Sequence, residues 1–212
     1  MRWFLVLVPF FLFSQSPHKA TISVIPKWGE QDFQLHKNYI LEDRSVSFET
    51  LKFYISATEQ IEDKKKAKPT SIFYLFDLEN ESAKSITLKN STRKITFCIG
   101  VDSATHEKGA LTGDLDPTKG MYWTWQTGYI NLKVEGKEND TPFQYHIGGY
   151  LSPYNTFEAF TFEVADKDQY KVEIDFKKWF QKAKTLKATH IMSPGENAKT
   201  LAEFLQKCVS IK

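Results

Sequence analysis

The sequence predicts an all-β protein, an antiparallel and barrel-like β-sandwich that ends in two short C-terminal helices. Segments that alternate apolar and polar residues, with many β-branched and aromatic side chains, recur between turn residues along most of the chain. Apolar residues at helical spacing are confined to the last part of the chain. A length of 212 residues suits one well-cored domain.

The predicted elements follow from these patterns in order. Strands are expected at 21–25, 33–36, 46–49, 51–57, 71–78, 85–88, 93–101, 121–134, 143–149, 157–164 and 170–176. A register change is expected between 46–49 and 51–57, and the last two strands are expected to form a hairpin. One helix is indicated by Trp179, Phe180, Ala183 and Leu186, and a second by a capping box that starts at Ser193.

The N-terminus resembles a secretory leader. Arg2 precedes an apolar run at 3–13 that is short for a membrane span, and small and polar residues follow it at 14–16. We therefore expect a signal peptide at 1–16 and a single mature domain at 17–212 that is periplasmic or secreted.

Charge and motifs exclude several classes of function. The chain has 28 basic and 26 acidic residues, a balance that argues against nucleic-acid binding. It contains no nucleophile elbow, no helical His-Glu-x-x-His motif and no phosphate-binding loop. The sequence therefore predicts a protein that is not an enzyme.

The stretch 120–149 is the richest in side chains that carry chemistry. Trp123 and Trp125 are two residues apart, so a strand would place both on one face. Apolar residues occupy odd positions up to Tyr129 and even positions from Ile130, which predicts a bulge or a change of sheet near Gly128. The tryptophans could fill the core or form a surface that binds a ligand or a partner.

Histidine and methionine side chains suggest a soft-metal site. His146 and Met121 fall in the same predicted hairpin, and soft or borderline metals favour imidazole and thioether ligands. His36 at an early strand end, His106 in the long loop and His190 beside Met192 are each weak candidates when taken alone.

Two other sites are possible from residue type alone. Asp102, Asp114 and Asp116 lie in or beside the long loop at 103–119 and could form an alternative calcium site, although turns use the same residues. Cys98 and Cys208 could pair as a disulfide in an oxidising compartment or remain two buried thiols.

Several blocks together resemble the MbnP-like family. They are Phe97-Cys98-Ile99-Gly100-Val101-Asp102-Ser103, Gly113-Asp114-Leu115-Asp116-Pro117, Gly120-Met121-Tyr122-Trp123-Thr124-Trp125-Gln126-Thr127-Gly128-Tyr129-Ile130-Asn131 and Tyr145-His146-Ile147-Gly148-Gly149. Phe53-Tyr54-Ile55-Ser56 and Met192-Ser193-Pro194-Gly195 resemble two further blocks, so the similarity spans nearly the whole mature chain.

The resemblance implies an exported copper-binding β-sandwich of a Gram-negative bacterium, associated with methanobactin systems. It also implies a partner, a MauG-like di-haem peroxidase that oxidises a tryptophan towards kynurenine. Trp123 or Trp125 would be the modified residue, and His146 a copper ligand. Many relatives have a histidine just after the first strand; this chain has Pro26-Lys27-Trp28 there, and His36 is the nearest substitute.

The leading hypothesis is thus a non-catalytic copper-binding protein. The alternative is a β-sandwich that binds a ligand or a protein through Trp123 and Trp125.

Overall fold

The computed structural model describes residues 18–58, 71–81, 83–90, 94–125, 128–165 and 167–212. Its strands are β1 (His18–Trp28), β2 (Gln31–Asp32), β3 (Tyr39–Leu41), β4 (Arg44–Thr58), β5 (Ser71–Asp77), β6 (Lys84–Asn90), β7 (Lys94–Ile99), β8 (Tyr122–Trp123), β9 (Gly128–Glu138), β10 (Thr141–Gly148), β11 (Glu158–Glu163), β12 (Gln169–Asp175), β13 (His190–Ile191) and β14 (Val209–Ile211). Its helices are α1 (Ser103–His106), α2 (Phe176–Thr185) and α3 (Glu196–Phe204), with 3-10 turns at Gly113–Leu115, Pro117–Lys119 and Leu205–Lys207. The leader predicted at 1–16 lies outside the described residues.

The strands form two sheets, which confirms the predicted all-β sandwich with short C-terminal helices. The smaller sheet has the order β14-β12-β1-β2, with β6 also paired to β1. The larger has the order β11-β7-β4-β9-β10-β13, with β3 and β5 also on β4 and β8 also on β9. Most pairs are antiparallel, but β1 pairs with β12 and β10 with β13 in parallel, which the sequence pattern did not predict.

The main core is an aromatic layer between the sheets and the C-terminal helices. Phe48, Phe143 and Phe180 are each at most 1 % exposed and contact one another. The indole Nε1 of the buried Trp179 on α2 donates a hydrogen bond of 2.9 Å to the carbonyl of Leu201 on α3. The amphipathic helices therefore bury their apolar faces against the sheets.

Three local predictions have different outcomes. The expected register change is present as an irregularity between Phe48 and Thr50, within one continuous strand. The expected hairpin of the last two long strands is wrong, because β11 pairs with β7 in one sheet and β12 with β1 in the other. The second helix begins at Glu196 with Gly195 as its N-cap, so Ser193 does not cap it.

A second apolar cluster covers the outer face of the larger sheet. On β4, Phe53 and Ile55 face the main core, whereas the intervening Tyr54 faces outward, as strand alternation requires. The segment between β7 and β8 packs over this outer face and completes the cluster, whose buried members are Tyr54, Leu75, Val101, Leu115, Met121, Trp123, Tyr129 and Ile130. We call this set the outer cluster. It gives the long loop a packing role and a defined shape.

Both cysteines are buried thiols rather than a disulfide. Burial raises the pKa of the Cys208 thiol to about 12, and its Sγ donates to the carbonyl of Phe204 at 3.4 Å. Among the helices in the described ranges, none combines the length and apolar character needed to cross a membrane.

Candidate metal centre

The two central tryptophans do not share a strand face. β8 ends at Trp123, the chain turns, and Trp123 is the register partner of Gly128 at the start of β9. The chain thus reverses between β8 and β9. The predicted bulge near Gly128 is also present, because the β9–β10 register shifts where Ile147 pairs with Leu132 and Gly148 with Ile130. Trp123 is 5 % exposed, whereas Trp125 on the turn is 66 % exposed. Their ring centroids are 5.7 Å apart and their planes are tilted by 43°, so the turn brings an exposed indole into contact with a buried one.

His146 lies on β10 and points to the same outer face as the outer cluster. Its neighbours Tyr145 and Ile147 belong to the main core, so alternation directs His146 away from that core. The ring is nevertheless buried, with a side-chain exposure of 8 %. Nε2 lies 2.8 Å from Oε1 of Glu135 on β9, and Nδ1 is buried without a hydrogen-bond partner.

The contact with Glu135 fixes the state of this pair. The hydrogen bond from His146 lowers the pKa of the Glu135 carboxyl to about 2, against the opposing effect of burial. The carboxylate is therefore ionised near neutral pH and only accepts hydrogen bonds. In the neutral imidazole, Nε2 must then carry the proton, and Nδ1 presents a buried lone pair.

The ring of Trp123 lies beside the strand that carries His146. A Cβ atom built on Gly148 would be 2.8 Å from Cζ3 of Trp123, so only glycine allows this close approach. Gly148 is two residues after His146 on β10. The indole Nε1 of Trp123 is buried and, like Nδ1 of His146, has no hydrogen-bond partner. The structure therefore brings Trp123 and His146 to one region, as the sequence predicted for the two blocks.

His106, a weak ligand candidate in the sequence, is a buried residue in the structure. It lies on α1, which the Asp102 side chain caps by accepting a hydrogen bond from Thr105 N at 2.8 Å. Its Nδ1 accepts from the backbone N–H of Tyr129 at 3.1 Å, and its Nε2 is buried without a partner. In the Asp-x-x-Thr-His sequence at 102–106, the aspartate is a favoured helix-capping residue. This pattern could have indicated that the histidine side chain is ordered on a short helix.

The protonation of His106 follows from these contacts. Burial lowers its pKa to about 4, so the ring is neutral at neutral pH. Because Nδ1 accepts a hydrogen bond, Nε2 carries the proton. A metal cannot replace that proton without converting the ring to an imidazolate or breaking the bond to Tyr129. His106 therefore fits a structural role better than a ligand role.

A cavity of about 280 Å³ lies beside Trp123 and His106. Its walls are aromatic and apolar for the most part and comprise His106, Trp123, Gly128, Tyr129, Gly149, Tyr150, Leu151, Ser152, Tyr154 and Pro194. The rings of His106 and Tyr150 stack at 4.6 Å. The side chains of Trp125, Leu151 and Tyr154 are exposed large hydrophobic groups. Trp123 can thus be approached through this cavity despite its low exposure.

The other predicted ligands lie elsewhere. Met121 is fully buried in the outer cluster among apolar and aromatic side chains. A packing role therefore explains the methionine at this position. His36 is exposed in the turn before β3, and its backbone N–H donates to the carbonyl of Phe48 on β4. Because β9 separates β4 from β10, His36 is two strands away from the strand of His146.

The three acidic residues of the long loop are satisfied within the protein. Asp102 caps α1; Asp116 accepts from the backbone N–H and the hydroxyl of Thr118. The carboxylate of Asp114 accepts from Lys119 Nζ at 2.7 Å and Leu75 N at 3.0 Å. These hydrogen bonds show that the three aspartates act as turn and helix-capping residues. They give the alternative calcium site no support.

Within the described parts of the chain, no three His, Cys, Asp or Glu side chains form a group that could hold a metal ion. What the structure does provide is one buried imidazole nitrogen with a free lone pair, oriented by a carboxylate. This is the arrangement that metal-ligating histidines commonly have. The fold and this histidine define a β-sandwich protein with a candidate metal site on its covered outer face.

Two comparisons with known proteins give matches. The sequence profile of the MbnP family matches residues 17–196, so the chain belongs to the MbnP family. A solved structure with a similar fold is MbnP from Methylosinus trichosporium, with 13% sequence identity and a TM-score of 0.53 over 77% of this chain and 78% of that chain. The comparison with curated protein sequences gives no match.

Proposed function

We propose that this chain is an exported, non-catalytic copper-binding protein and that His146 is its primary copper ligand. The observation that supports it is the state of His146, whose Nε2 is held by Glu135 and whose Nδ1 is buried and unpaired. A buried polar atom without a partner costs about 1–3 kcal/mol, and a bound metal would remove that cost. When bound, copper would supply a soft Lewis acid that accepts imidazole and thioether donors.

The residues around His146 prepare the ring for this role. Glu135 selects the tautomer and limits rotation of the imidazole, and Lys133 Nζ, 3.6 Å from Oε1 of Glu135, partly balances the carboxylate. The Trp123 ring beside Gly148 helps to exclude water from that side of the strand.

Copper titration of the chain without its leader tests this proposal. His146→Ala should lower copper affinity by about 100-fold or more, since it removes the ligand and not only its support. His190→Ala is a matched control, because His190 is exposed on β13 and hydrogen-bonded to Thr189. Equal affinity of wild type and His146→Ala would contradict the proposal.

We also propose that Trp123 is the tryptophan that a MauG-like di-haem peroxidase would oxidise. Trp123 lies beside the strand of His146, and Trp125 offers an exposed ring in contact with it, so an oxidant docked outside can reach the buried indole through Trp125. Opening of the indole C2–C3 bond takes two oxygen atoms from two molecules of hydrogen peroxide, which are reduced to water. Hydrolysis then releases formate and leaves kynurenine, whose amine and ketone are better metal donors than indole.

Peptide mass spectrometry of protein treated with its partner enzyme and peroxide tests the second proposal. Kynurenine replaces one carbon atom of tryptophan by one oxygen atom, so the mass gain is small and diagnostic. Fragment ions should place it on Trp123. A modification at Trp125 alone would contradict the assignment.

A second candidate function is supported by the cavity beside Trp123. Its aromatic walls and its exposed neighbours Trp125 and Leu151 suit a flat apolar ligand or a partner side chain. A ligand that quenches tryptophan fluorescence in wild type but not in Trp125→Phe and Trp123→Phe would favour this function. Binding unaffected by these substitutions would exclude the cavity.

A further inference from the structure

Helix α2 carries a concentrated positive charge on the side that the core leaves open. The helix buries an apolar face that consists of Phe176, Trp179, Phe180 and Ala183. From 176 to 195 the chain contains no acidic residue and five lysines, which are Lys177, Lys178, Lys182, Lys184 and Lys187. The formal net charge of the whole chain is only +2, so this segment concentrates charge that the rest of the chain balances.

Three lysines converge around Phe204, a half-buried residue at the end of α3. Lys182 Nζ lies 5.9 Å from the centroid of the Phe204 ring, and Lys207 Nζ lies 5.6 Å from it. Lys178 Nζ donates a hydrogen bond of 2.7 Å to the carbonyl of Lys207, which brings a third ammonium group beside the same residues. We call Lys178, Lys182, Lys207 and Phe204 the basic patch.

Carboxylates of the described chain leave the basic patch positively charged. None of its three lysines forms a salt bridge with a described acidic residue, whereas Lys184 on the same helix pairs with Glu138. The carboxylate of Asp175 accepts from the backbone N–H groups of Lys177 and Lys178 and thereby caps α2. Like charges four residues apart on a helix, as at 178 and 182, repel one another. An anion beside the basic patch therefore relieves a repulsion that the protein carries without it.

The chemistry of the basic patch favours an extended anionic surface over a single bound anion. All of its cations are lysines, and it lacks arginine, whose planar fork suits bidentate binding of one carboxylate or phosphate. A lysine ammonium is a point charge on a flexible stem, so three of them side by side suit negative charges spread over a plane. The leader predicted at 1–16 would bring the chain into a compartment bounded by membranes, whose anionic lipids provide such a plane.

We infer that the basic patch docks this protein on an anionic phospholipid surface. Docking is electrostatic and reversible, because Trp179 and Phe180 are fully buried in the core and cannot enter the bilayer. It also orients the molecule. Phe180 packs against Phe143 on the inner side of the larger sheet, whereas His146 faces the outer side. A protein docked through α2 therefore turns its outer face and the cavity towards the solvent, and membrane docking is independent of copper binding.

Co-sedimentation of residues 17–212 with lipid vesicles tests this inference, since this chain lacks the apolar run at 3–13, which could itself bind lipid. The vesicles contain phosphatidylcholine alone, or phosphatidylcholine with about one third phosphatidylglycerol, which supplies the negative charge. Wild type should bind the anionic vesicles at low salt and should not bind the neutral ones. Salt at about 0.5 M should release it, because screening then limits the reach of a charge to about 4 Å.

Two triple variants locate the binding surface. Each lysine near an anionic membrane contributes about fivefold in affinity, so a protein with Lys178→Gln, Lys182→Gln and Lys207→Gln should bind about 100-fold more weakly. The matched control removes the same charge from exposed lysines of the long loop and β9, through Lys108→Gln, Lys119→Gln and Lys137→Gln. The control should stay within a few-fold of wild type, and urea unfolding should show that both variants are folded.

Several outcomes would overturn the inference. Equal weakening in the two triple variants would show that only net charge matters. Wild type that does not bind anionic vesicles at low salt would exclude membrane docking, even if an acidic protein then bound through the same lysines. Equal binding of wild type to neutral and anionic vesicles would exclude an electrostatic contact.

Discussion

The burial of His106 predicts that acid weakens the fold in a defined pH window. In the unfolded chain a histidine takes up a proton below its ordinary pKa of about 6.5. In the folded protein the pKa is lowered to about 4, so the ring stays neutral over most of that range. The unfolded state therefore binds more protons between these two values, and the free energy of unfolding must fall as the pH falls from 6.5 towards 4.

The size of the effect follows from the same two pKa values. A difference of about 2.5 units at 1.36 kcal/mol per unit gives a total loss of about 3 kcal/mol, of which about 2 kcal/mol is lost between pH 7.5 and pH 5. The Glu135 carboxyl titrates below this window. The pKa of Glu135 is about 2 in the folded protein, so its contribution is complete above its ordinary value of 4.5 and is lost below it.

Urea unfolding of wild type and His106→Gln at pH 7.5, 6 and 5 measures this contribution. Glutamine can still accept the hydrogen bond from Tyr129 N but does not titrate. The variant should be less stable than wild type at pH 7.5, and its free energy of unfolding should change little between pH 7.5 and pH 5. The difference between wild type and variant should shrink by about 2 kcal/mol between pH 7.5 and pH 5. Parallel losses in the two proteins would show that His106 is not buried as a neutral ring.

Three further predictions concern packing, the metal site and thiol reactivity. Gly136→Ala should destabilise the protein by about 1–3 kcal/mol or more in chemical denaturation, because the added Cβ would lie 2.1 Å from the carbonyl oxygen of Ser47. An unchanged free energy of unfolding would contradict the register of β4 and β9. Glu135→Gln should weaken copper binding by about 10–100-fold in the copper titration, since His146 loses its charged partner. Unchanged affinity would show that Glu135 does not support the copper ligand. Cys208 should resist alkylation at pH 8 in the native protein and react in urea, because burial raises its thiol pKa to about 12. Mass spectrometry measures the labelling, and rapid labelling of the native protein would refute the burial of Cys208.

The sequence determined much of the fold because strand patterns are local. Alternation in 46–57 predicted strand structure on both sides of the irregularity near Thr50, although as two strands and not as the single strand β4. The hairpin of β9 and β10 and a bulge near Gly128 were also predicted. The reversal between β8 and β9 was not predicted, because a turn and a bulge can shift the parity of apolar positions in the same way.

The sequence by itself selected the stretch 120–149, with Trp123, Trp125 and His146, as the working part of the chain, through residue type and resemblance to a family. Only the tertiary structure could show that Glu135 holds one nitrogen of His146 and leaves the other unpaired. It also showed that parallel pairing of β10 with β13 joins segments that are far apart in the chain. Such pairings depend on which faces two distant segments bury together, and no local periodicity records that.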